Sequence, residues 1–77
     1  MVVLNKADST VIPYSHVCIE TGEDKSYLAS DGNGKALVLI KKGSIISISA
    51  VGYQTLIDTI SENQDHYIFR LEKKAFT

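Results

Sequence analysis

The chain has 77 residues, of which 44% are hydrophobic, and a formal net charge of −1. That length allows one domain, and that hydrophobic fraction is too high for a disordered chain. The charge balance speaks against nucleic acid, whose binders carry basic surfaces, and the lysine pairs Lys41-Lys42 and Lys73-Lys74 read as solvated positions.

No long window carries the apolar spacing of an amphipathic helix. Short runs rich in Val, Ile, Leu, Tyr, Ser and Thr alternate instead with polar or glycine-containing breaks, at the roughly eight- to twelve-residue spacing of an all-β sandwich or barrel. Seven strands are predicted in chain order: Val2–Lys6, Ser15–Glu20, Ser26–Ser30, Lys35–Ile40, Ile45–Ala50, Gln54–Ile60 and His66–Glu72. The breaks between them include Ala7-Asp8-Ser9-Thr10, Thr21-Gly22-Glu23-Asp24 and Ser61-Glu62-Asn63-Gln64-Asp65. Strict alternation assigns the inner faces. Val17 and Ile19 oppose His16, Cys18 and Glu20; Ile46, Ile48 and Ala50 oppose Ser47 and Ser49; Tyr67, Phe69 and Leu71 oppose Ile68 and Arg70. Lys35–Ile40 breaks the pattern, because Ala36 to Ile40 are all apolar. Two readings fit it: a central strand covered on both faces, or an exposed face used by a partner.

The loop Asp31-Gly32-Asn33-Gly34-Lys35 invites a ligand. An EF-hand calcium loop needs oxygen ligands at its first, third and fifth positions and a bidentate Glu at its twelfth. Here Lys35 and Lys42 stand at the fifth and twelfth positions. A phosphate-binding P-loop needs Gly where Ala29 stands and Ser or Thr where Ala36 stands, and it needs a following helix. The remaining reading is a hairpin turn built from residues that tolerate positive φ and cap their own backbone. Lys42-Gly43-Ser44 is expected to be a second turn.

No catalytic, cofactor-binding or metal-ligating set emerges elsewhere. His16 and Cys18 share one strand face, and only His66 could join them; His16 reads as exposed and Cys18 as a small packed group. Ser47 and Ser49 lie outside any nucleophile elbow, and Asp31 and Asp58 lack an evident carboxylate partner. Gly52 is expected to bend the chain so that Tyr53 packs its ring and leaves its hydroxyl near the surface. Cys18 is the only cysteine, so no internal disulfide forms and the redox compartment is not reported. No apolar run reaches the roughly 18 residues of a membrane span. Met1–Thr10 has no apolar signal-peptide core, which taken alone points to the cytoplasm.

Taken in order, these elements resemble the carboxypeptidase regulatory-like (CarboxypepD_reg-like) domain. The resemblance rests on Ile12-Pro13-Tyr14-Ser15-His16-Val17, on Ser30-Asp31-Gly32-Asn33-Gly34-Lys35, on a turn containing Gly43, on Ile46-Ser47-Ile48-Ser49-Ala50-Val51-Gly52-Tyr53-Gln54-Thr55, and on a last strand ending at Leu71-Glu72. It covers Val2 to Lys73. Tyr14 stands where the family often has Gly, and Ala36 where it usually has a large aromatic. The resemblance implies a seven-stranded Greek-key β-sandwich of the transthyretin (prealbumin) type. It implies one domain over residues 1–77 of a larger exported protein, periplasmic or associated with the outer membrane, with its signal peptide outside this sequence. Such domains accompany metallocarboxypeptidases and, in Bacteroidetes-type bacteria, TonB-dependent receptors, and are not known for catalysis of their own. The expected role is therefore an accessory domain that docks on protein, either its own neighbours or an envelope partner, without cofactor, nucleic acid or membrane span. Exposed apolar positions such as Ile40, Ile45 and Ile68 are its expected contacts. The alternative is a glycan- or peptide-binding module with Tyr14, Tyr27 and Tyr53 as stacking groups.

Overall fold

A computed structural model describes residues 1–64 and 66–74. Among these residues there are six strands in two sheets and no helix. The strands are β1 (Val2–Asn5), β2 (His16–Thr21), β3 (Asp24–Ala29), β4 (Ile45–Ser49), β5 (Leu56–Thr59) and β6 (Ile68–Leu71). The larger sheet is antiparallel in the order β3-β2-β4-β5, and the smaller one pairs β1 with β6 in parallel.

Alternation places the core where the pattern predicts. Val17 and Ile19 of β2, Ile46 and Ile48 of β4, and Phe69 and Leu71 of β6 are all buried, while Ile68 and Arg70 face out. Burial of each such side chain stabilises by about 1.5–3 kcal/mol before entropy is subtracted. Val3 joins them from β1, and Ile12, Ile40 and Ile60 from the connections. The tight turn between β2 and β3 has Gly22 at φ 63 followed by Glu23, and the register already pairs Thr21 with Asp24. Glycine first in a two-residue turn suits the strand twist of a hairpin, so β3 begins two residues before the predicted Ser26.

The predicted strand Lys35–Ile40 is not formed as a strand. Lys35 makes one antiparallel bridge to Val2, and Ala36 exchanges two hydrogen bonds with Met1. Beyond Ala36 no backbone partner follows among the described residues. The side chains nevertheless alternate: Ile40 is buried, Val38 is half-buried against the core, and Leu37 and Leu39 are exposed. The segment is therefore not a central strand covered on both faces. β5 is also shorter than predicted at its start, because Gln54 donates instead to the Glu72 carbonyl beside β6.

Two buried serines join the connections to the larger sheet. The Ser30 hydroxyl accepts from the Ser15 amide at 2.8 Å, lies 2.9 Å from the Ser15 hydroxyl, and reaches the Ile12 carbonyl at 3.4 Å. Ser30→Ala leaves the buried Ser15 amide without its acceptor and should destabilise by about 1–3 kcal/mol. Ser15→Ala strands no amide and should cost clearly less. Urea unfolding of both variants tests this; equal losses would mean that the Ser15 amide finds another acceptor.

Candidate functional site

The loop Asp31–Lys35 uses its own carboxylate as a cap. Asp31 Oδ1 accepts from the amides of Lys35 at 2.9 Å and Asn33 at 2.8 Å, and the Gly34 amide donates to the Asp31 carbonyl. The Lys35 amide, then the Asn33 amide, hold the Asp31 carboxyl below its ordinary value. The loop is a turn, as predicted, but it does not close a hairpin. It carries the chain from the end of β3 to the backbone of β1, where the Val3 amide donates to the Gly34 carbonyl at 2.8 Å. Gly34 has φ 73, and a Cβ there would lie 2.8 Å from the Val3 carbonyl oxygen and 3.1 Å from that of Ile12.

The chain leaves this turn along an apolar groove of about 580 Å³, lined by Met1, Ala36, Leu37, His66, Tyr67 and Ile68. Leu37 is fully exposed, Leu39 is 78% exposed and Ile68 54%. Of the apolar contacts expected from the sequence, Ile45 and Ile68 are exposed, but Ile40 is only 7% exposed and belongs to the core. Tyr67 frames the groove rigidly. Its ring stacks on Phe69 with centroids 6.1 Å apart, and its hydroxyl donates to the Glu62 carbonyl and accepts from the Gln64 amide.

The other singled-out residues are not brought together. His16 and Cys18 lie on the outer face of the larger sheet beside Tyr27 and Ser47, while His66 lines the apolar groove. His16 is exposed and Cys18 half-buried. Among the described residues no three His, Cys, Asp or Glu side chains cluster as metal ligands. Tyr14 and Tyr27 are exposed, with the Tyr14 hydroxyl beside Gly32. Tyr53 sits after the φ 85 residue Gly52, and its hydroxyl accepts from Asn5 Nδ2 at 3.4 Å, the packing role expected of it. The three tyrosines thus sit in three different settings. No helix of the described residues is long and apolar enough to cross a membrane. The groove itself was visible in the sequence only as the unbroken apolar run; its far wall, Tyr67 and Ile68, comes from 30 residues away or more and left no local signal.

No family model matches this chain, and no curated protein or solved structure matches it either.

The Gly34 contacts predict that Gly34→Ala destabilises by about 2–3 kcal/mol, from positive φ and a backbone collision together. Gly43→Ala, at φ 89 with open space around it, should cost only about 1 kcal/mol. Chemical unfolding of both separates the two terms, and equal losses would remove the collision from the account. The Asp31 cap also predicts an acid dependence. Its folded-state value lies below the ordinary 3.8, so its contribution is complete above that pH and is lost as pH falls through the lower value. Asp31→Asn should therefore be the less stable protein near about pH 5, and its denaturant midpoint should approach that of the parent towards about pH 2. Parallel curves would show that the carboxylate's charge does not hold the turn.

Proposed function

We infer that this chain is a non-catalytic accessory domain that docks on protein, and that it works within a larger cell-envelope protein. The observation that carries the reading is the exposed apolar surface of Leu37, Leu39 and Ile68, of which Leu37 and Ile68 line an apolar groove. Unpaired strand-like backbone next to exposed apolar side chains is a template for another chain, and contiguous apolar surface of this kind marks interaction sites.

The fold supports a seven-stranded Greek-key sandwich of the carboxypeptidase regulatory-like type, with Lys35–Ile40 completed as the seventh strand when a neighbour pairs with it. The resemblance in sequence supports the periplasmic or outer-membrane-associated setting. The native size of the polypeptide that carries this sequence tests the reading. After separation of envelope from cytosol, an antibody against the domain should detect a large envelope-associated species. A free cytosolic species near 8.4 kDa would overturn it.

A further inference from the structure

The outer face of the larger sheet holds a second concavity, of about 230 Å³, separate from the apolar groove on which the docking role rests.

Side-chain size in register makes it. Across the sheet Tyr27 stands beside Cys18, Cys18 beside Ser47, and Ser47 beside Ile57. Cross-strand neighbours on one face lie about 4.5–5.5 Å apart, so two short side chains between two long ones leave a trough. Exposure agrees, since Tyr27 and Ile57 are exposed while Cys18 and Ser47 are half-buried. Half-buried Ser49, in register with His16, extends the floor, and Thr55 completes the lining. Beyond Cys18 along β2, Glu20 stands opposite Lys25, and the two form an ion pair at 2.9 Å.

The lining selects the ligand. The hydroxyls of Tyr27, Ser47, Ser49 and Thr55 and the His16 imidazole make no side-chain hydrogen bond among the described residues, whereas those of Ser15, Ser30, Thr21 and Ser44 are all taken. Free donors and acceptors therefore converge on one concavity beside an exposed aromatic ring. No Asp, Glu, Lys or Arg lines it, so a nucleic acid or other polyanion finds no counter-charge there. β2 and β4, which form the floor, are each paired on both sides. A peptide in the trough would gain no ladder and would leave its own backbone groups largely unmatched.

The matching compound is uncharged, with an apolar C–H face to lie on an aromatic ring and hydroxyls around its rim. A pyranose has that form. We propose that the trough beside Tyr27 binds a neutral glycan, with one sugar ring against Tyr27 and its hydroxyls on Ser47, Ser49, Thr55 and His16. The site stands independently of the docking surface. Neither of the other two tyrosines weighed as stacking groups joins it: the Tyr14 hydroxyl lies beside Gly32, and that of Tyr53 is bonded to Asn5. One stacking ring makes this a weak site that holds a single sugar unit of a longer chain.

The test titrates nitrogen-15-labelled protein with cellohexaose, mannohexaose and maltohexaose, and with hexagalacturonate as the charged control. At least one neutral hexamer should bind with a Kd on the order of 1 mM, with amide shifts centred on Cys18, Tyr27, Ser47 and Ser49. Tyr27→Ala, at an exposed position, should weaken that binding about tenfold or more while the circular dichroism stays unchanged. Ser47→Ile raises the floor with a strand-favouring side chain and should abolish binding. Silence from all three neutral hexamers, hexagalacturonate bound as tightly as they are, or Tyr27→Ala binding like the parent would overturn the proposal. Shifts centred on Leu37 and Ile68 would overturn it as well, by moving the ligand to the apolar groove.

Discussion

The fold depends on the parallel pairing of β1 with β6. Val2 to Asn5 lie beside Ile68 to Leu71 in register, so the first and last strands close the molecule. Parallel neighbours require a crossover connection, and here the whole larger sheet serves as that crossover. β1 is also the strand on which everything else in its layer leans. Val3 donates to Gly34 and accepts from Ile12, Asn5 accepts from Ala7 through its side chain and donates to Tyr53, and Val2 bridges Lys35. The pairing of β1 with β6 itself joins residues more than 60 apart in sequence, which makes non-local closure an inherent part of its folding.

A domain this small has few apolar residues with which to stabilise that closure, and polar groups are recruited into the interior. Asn5, Ser15, Ser30 and Ser44 are all buried, and none of the buried side-chain polar atoms described lacks a hydrogen-bond partner. Ser44 meets Thr21 at 2.8 Å, tying the start of β4 to the end of β2. These short side chains act at the places where chain passes between sheets, where a purely apolar residue would leave backbone groups unmet. The surface ion pair Lys6–Glu72, which spans the two ends, is exposed on both sides and contributes little beside them.

Much of this was legible in the sequence, for a reason particular to half-buried strands: alternation is a local signal. Val17 and Ile19, Ile46 and Ile48, and Phe69 and Leu71 could be assigned inward without knowing their neighbours. What resisted reading depended on distant partners. Lys35–Ile40 has strand composition, and its side chains alternate in and out, but a strand exists only where another backbone lies alongside, and beyond Ala36 none does among the described residues. Gln54 changes sheets because of Glu72, and the hydroxyl contact between Ser15 and Ser30 links positions with no local mark. The Asp31–Lys35 loop was legible as a turn, but its destination on the backbone of β1 was not.

The parallel closure also governs how the domain transmits force. Because β1 and β6 run the same way, the chain enters the pair at one end, at Val2, and leaves it at the other, at Leu71. Tension along the polypeptide therefore slides the two strands past each other and loads their hydrogen bonds together, among them Val2 to Tyr67 and Lys6 to Leu71, rather than opening them one at a time as a hairpin peels. Rupture under load is set by the barrier to unfolding rather than by equilibrium stability. A domain with this arrangement resists load along its chain more stiffly than its small size alone would suggest.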